Sequence, residues 1–324
     1  MDTTPLLAAA GGLPGPNTIQ DHPAFLRASH SPWRFIPQNI LVILRGMVLA
    51  YLIAIGVMGS HYKLGLESDH PVWRFFFDFS VISFTFVAVY HIITFSWTFT
   101  HLYYPNPEDN EGGIEGVIVR LMSLPRNMGS LRKQFHFTMF YTLTTVFAFM
   151  NSTIYWFITR AHSLDDDSGN APDDGDAGGE MLRGGRGNIG APFSDLFGEG
   201  WYKPFVIFNF YAVTSGIMVY EILFLNSIRR PFAIGSHLLG LVLSSGAYLG
   251  WAALGKYLTG WDAFFWLDKE EVGSEEAVTV YCMGFVLLAP LMYILMQGFV
   301  AVREGLTSWT ESRGETSSTE ALEE

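Results

Sequence analysis

Six apolar runs dominate this 324-residue chain: Ile40 to Met58, Phe75 to Phe99, Phe137 to Ile158, Pro204 to Leu225, Phe232 to Leu254 and Val278 to Val302. A hydrocarbon core is crossed by about 20 residues of helix. Each run is long enough, and none shows the period-2 alternation of a barrel strand. Aromatics mark the borders: Trp73, Tyr103 and Tyr104, Tyr155 and Trp156, Trp201 and Tyr202, then Trp261 and Trp266. The expectation is an all-α, polytopic membrane bundle of six transmembrane helices.

Composition agrees, with 49% hydrophobic and only 15% charged residues, against about 25% charged in an ordinary soluble domain. The net charge of -12 is concentrated in two places. Residues 161–200 hold nine acids against two arginines, net -7, and residues 303–324 hold six against two, net -4. Both segments, and residues 1–37, lack the apolar content needed to offset ordering entropy, so the sequence predicts disorder there. The six-helix domain is thus expected at 38–302, interrupted by the acidic loop. Acidic balance gives no basis for nucleic-acid binding. The single cysteine, Cys282, allows no intrachain disulfide. PLLAAAGG is too short an apolar run for a secretory signal, and the first long apolar segment is expected to target the chain. Arg and Lys near the helix ends favour both termini in the cytoplasm, in the endoplasmic reticulum or plasma membrane.

Ionisable groups at membrane depth are costly and therefore informative. Arg45 lies shallow enough in the first span to extend to the headgroups. Asp78 lies four residues after Arg74, a spacing that suits an ion pair on a helix. His91, His136 and His237 are lone imidazoles, and no two share the spacing of a zinc site. No metal or other cofactor is implied. The DDDSGNAPDDGD run does not fit a calcium loop. In the fourth span, Tyr211, Thr214, Ser215 and Met218 share a face, and Glu221 is expected to face the interior or pair with a cation. Gly216 there suggests close helix packing. No GxSxG, HExxH, Walker or GxGxxG motif is present outside the acidic loop.

LRGMVLAYL in the first span, YTLTTVFAFMNSTIYW in the third, a Glu-bearing fourth span and YLGWAALGKYLTGWDAFFWLD after the fifth together resemble the fungal branch of the androgen-induced (FAR-17a-like) membrane-protein family. The last of these ends in Thr259, Gly260, Trp261, Phe264, Phe265, Trp266, Leu267 and Asp268. The resemblance covers roughly residues 40 to 300, acidic loop excluded. It implies intramembrane hydrolysis of fatty acid esters of hydroxy fatty acids by a threonine nucleophile and a histidine. This chain places Phe77 and Tyr211 at those two positions. Substitute catalytic residues would be Ser80, His91 and His237, with Asp78, Tyr211, Thr214 and Glu221 binding substrate between the second, fourth and fifth spans. The alternatives are a protein that binds membrane lipid or a protein partner without catalysis, and a proton-coupled carrier using Asp78, His91 and Glu221. Oligomeric state is left open.

Overall fold

A computed structural model describes residues 23–65, 72–104, 113–125, 128–162, 201–231 and 233–323. Every regular element among them is helical. A short helix α1 (Ala24–Ser29) precedes α2 (Gln38–Gly65). A 3-10 turn (Val72–Phe76) leads into α3 (Phe79–Tyr103), followed by α4 (Gly113–Met122). Next come α5 (Leu131–Ile154, continued by a π turn at Tyr155–Thr159), α6 (Tyr202–Leu225) and α7 (Ile234–Thr259). A 3-10 turn (Phe265–Leu267), the single-turn α8 (Lys269–Val272) and the long α9 (Glu275–Glu323) complete the chain.

Local chemistry sets the ends of these helices. Asp78 caps α3 by accepting from Ser80 N at 2.8 Å. Gly260, at φ +71°, ends α7 in the left-handed conformation that glycine adopts without a Cβ clash. The two ends of the bundle are named here by where the chain enters. The first residues of α2, α5 and α7 lie at the proximal end with the last of α3, α6 and the spanning part of α9.

Among the described residues, five helices are long and apolar enough to cross a membrane: Gln38–Gly65, Phe79–Tyr103, Tyr202–Leu225, Ile234–Thr259 and Glu275–Trp309. The remaining expected span falls within α5, which is long but carries too many threonines and amides to qualify by apolarity. The reason is its position. From Tyr141 to Met150 every residue except Leu143 is buried, because α5 packs against α1, α3, α6, α7 and α9. A helix ringed by protein needs no lipid-compatible surface.

The boundaries of the expected tails move. Phe25, Ala28 and Ser29 of α1 are buried, so residues 23–37 belong to the fold rather than to an N-terminal tail. The last helix runs through the expected border at Val302, and Arg303 is 2% exposed. Residues 1–22 and the acidic loop from 163 to 200 lie outside the described residues.

Candidate functional site

α6 contains two π turns, Asn209–Val213 and Glu221–Leu225. Such turns widen the helix and release carbonyls from its ladder. At the first, Asn151 Nδ2 donates to Phe210 O at 3.0 Å, and Trp156 Nε1 to Tyr211 O at 3.1 Å. The second ends the helix at the proximal end. Its four terminal carbonyls, orphaned in any helix, are all satisfied by side chains. Arg303 Nη1 reaches Ile222 O at 3.1 Å and Trp33 Nε1 reaches Leu223 O at 2.7 Å. Ser31 Oγ reaches Phe224 O at 2.7 Å and Arg45 Nη2 reaches Leu225 O at 2.8 Å. Two guanidinium charges at a helix C-terminus also complement its dipole.

Glu221 completes this cap. Its Oε1 lies 3.0 Å from Arg45 Nη2 and accepts from Tyr90 OH at 3.0 Å. Arg45 also donates to Thr94 O, Thr98 Oγ1 and Ala28 O, at 3.0, 2.9 and 2.5 Å. Asn226 and Tyr141 extend the network to Arg303. Arg45 and Glu221 are 1% and 0% exposed. Arg45 therefore does not extend to the headgroups: the cation that neutralises Glu221 comes from α2 and is held inside the bundle.

The proposed distal residues separate. Ser80 Oγ donates to Asp78 Oδ1 at 2.7 Å. Asp78 is paired with Lys63, not Arg74, whose guanidinium lies 5.5 Å from the Trp261 ring centroid. Phe77 packs on Trp251 in a tilted pair with ring centroids 4.9 Å apart, against Gly255, where a Cβ would come within 2.6 Å of its ring. Tyr211 stacks on Tyr155 at 3.9 Å, and Thr214 Oγ1 donates to Asn209 O at 2.8 Å. His91 is half a span from Ser80, about 16 Å along the helix, and bonds Val87 O of its own helix at 2.8 Å. Ser80, His91 and His237 thus do not form one catalytic group. Gly216, expected to permit close packing, has open space where a Cβ would stand.

One hydroxyl and one imidazole do meet, at the proximal end. His237 Nε2 lies 3.1 Å from Thr138 Oγ1, joining α7 to α5. His237 Nδ1 is 2.9 Å from Ala233 O. A carbonyl only accepts, so Nδ1 holds the proton, and in the neutral ring Nε2 has a lone pair to receive the Thr138 hydroxyl. His237 is 1% exposed. Thr138 lines a small cleft with Tyr141, Arg229, Met296 and Gln297, with room for about one water molecule. Nothing in the sequence sets Thr138 apart, since Thr138, Thr142 and Thr145 recur at helical spacing. Indeed Thr142 and Thr145 bond back to the carbonyls of Thr138 and Tyr141. Only the approach of His237, 99 residues away, distinguishes Thr138 from them. No group of side chains suited to a metal ion occurs among the described residues.

No protein-family model, curated protein or solved structure matches this chain.

Proposed function

We propose that this chain is a six-span integral membrane protein that hydrolyses lipid esters, with Thr138 as nucleophile and His237 as base. The observation that carries the reading is the Thr138 Oγ1 to His237 Nε2 contact of 3.1 Å with Nδ1 anchored on Ala233 O. Nucleophile, base and orienting group then stand in the order that acyl transfer requires. The family resemblance supplies the substrate class, fatty acid esters of hydroxy fatty acids. It does not supply the site, since Phe77 and Tyr211 stand where the family has its threonine and histidine. Both termini face the cytoplasm in this reading, and the sixth span is α5.

The chemistry balances as a two-step transfer. Thr138 Oγ attacks the ester carbonyl carbon as its proton passes to Nε2. The alkoxy C–O bond breaks, and the leaving alcohol takes that proton, giving an acyl-threonine. Water then attacks the acyl carbon while Nε2 accepts its proton, and Thr138 is regenerated with release of the fatty acid. Arg229, on the wall of the same cleft, would favour the oxyanion. The cleft admits water but not an acyl chain as it stands, so substrate entry requires α5, α7 and α9 to part.

A second reading keeps the contact as an interhelical pin in a protein that binds lipid or a partner. It is favoured by the cleft's size and by the 3.1 Å approach of Thr138 Oγ1 to Phe135 O. Ester turnover in proteoliposomes separates the two. The hydrolase reading expects wild-type turnover that falls about 100-fold or more in Thr138→Ala and His237→Ala. It also expects partial activity in Thr138→Ser and full activity in Ser80→Ala and His91→Ala. No turnover, or turnover indifferent to Thr138→Ala, leaves the pin.

A further inference from the structure

α4 joins the proximal ends of α3 and α5 and differs from every span. At 100° per residue, Ile114, Val117, Ile118 and Leu121 fall on one face, and they are 80%, 66%, 49% and 84% exposed. The opposite face is the packed one. Gly116 and Val119 are buried, and Thr100 Oγ1 of α3 donates to Met122 O at 3.2 Å. A helix of ten residues is too short to span a bilayer, yet it turns four large apolar side chains outward. Arg120 on α4 is exposed at the edge of this stripe, and the first turn of α5, which follows in the chain, exposes Arg132 and Lys133 beside Leu131.

We infer that α4 lies in the plane of the membrane surface, with the Ile114, Val117, Ile118 and Leu121 stripe among the acyl chains and Arg120, Arg132 and Lys133 on anionic lipid headgroups. Two observations select a bilayer as the occupant. The stripe adjoins α3, a helix long and apolar enough to cross a membrane, whose Thr100 holds the last residue of α4 through Met122 O. Apolar face and cationic flank are also the two signals by which interfacial helices bind anionic membranes. The consequence is sidedness. The proximal end is the one held at the anionic leaflet.

The test uses the full chain in lipid vesicles. Cys282 is the single cysteine, so Cys282→Ser provides a background in which Leu121→Cys, Val117→Cys and, as a water-facing control, Glu270→Cys are labelled with a polarity-sensitive fluorophore. Labels at Leu121 and Val117 should be blue-shifted and quenched by lipids brominated high on the chain, and the control by aqueous iodide. Quenching by spin-labelled phosphatidylserine should exceed that by spin-labelled phosphatidylcholine, on the order of five-fold per cation. That preference should vanish in Arg120→Gln/Arg132→Gln/Lys133→Gln. Iodide quenching of the Leu121 label in pure lipid overturns the proposal. If the same label is shielded in native membranes, a protein partner covers the stripe instead. Equal quenching by the two spin-labelled lipids in the unneutralised chain overturns the anionic preference. Melting of each labelled protein at the parent temperature excludes misfolding as the cause.

Discussion

Glu221 and Arg45 show what a buried charge requires. Two ions withdrawn from water cost several kcal/mol each, and their attraction offsets this only when the remaining hydrogen bonds are made. Here they largely are, through Tyr90, Thr98, and the carbonyls of Ala28, Thr94 and Leu225. Glu221→Ala should therefore destabilise the protein by about 3–5 kcal/mol, by stranding Arg45. Adding Arg45→Met should recover much of the loss. Unfolding in detergent measures both, and a single variant as stable as wild type would show that the pair is not coupled. At the distal end, burial pushes the Asp78 carboxyl up, but the Lys63 ammonium and hydrogen bonds from Lys63 and Ser80 together hold it below the usual carboxylate range. A carboxyl depressed in the fold contributes stability above its unfolded value, and that contribution is lost as pH falls through the lower, folded value. Stability should therefore drop below about pH 4, and the drop should be smaller in Asp78→Asn. The sequence showed Glu221 as an inward acid in need of a cation, but not which cation, because Arg45 is 176 residues away. Arg74 was a reasonable partner for Asp78 only if both lay on one helix. The 3-10 turn at Val72–Phe76 and the cap at Asp78 remove that premise.

At the scale of elements, close approach is concentrated at a few glycines. A Cβ on Gly59 of α2 would stand 2.0 Å from Phe210 Cε2, and the Phe210 ring is stacked on Phe84 at 4.7 Å. Gly59→Ala must therefore displace a ring that joins α2, α3 and α6, at a cost of about 1–3 kcal/mol. Gly216→Ala, with open space around it, should be neutral or slightly stabilising, since alanine is the better helix former. Thermal melts of the two variants should move apart, and equal melts would contradict this packing. Helix order and type were legible because hydropathy reports lipid-facing surface. α5 was legible as a long helix from its length and aromatic border, and Thr144, Thr145 and Asn151 in it are buried against protein. The π turns of α6 left no trace in the sequence pattern, since one extra residue in a turn changes neither hydropathy nor length appreciably. They nevertheless aim Tyr211 O and Leu225 O at their partners.

For the whole molecule, the number of times the chain crosses decides which helix ends can meet. Thr138 and His237 can meet only if α5 and α7 start at the same end. The buried cap forms only if Arg45, Glu221 and Arg303, from α2, α6 and α9, reach that end as well. Among the described residues, five helices are long and apolar enough to cross. In the proposed reading the sixth crossing is α5, the polar helix that the others surround. Without it, an odd number of crossings would separate the ends that these contacts bring together. The direct measurement is two-sided cysteine labelling of the Cys282→Ser protein in sealed vesicles, at Leu131→Cys and Phe157→Cys, both exposed positions near the two ends of α5. A membrane-impermeant reagent should reach one of them only from outside and the other only from the lumen. Labelling of both from the same side would contradict six crossings, and with them the joining of Thr138 to His237.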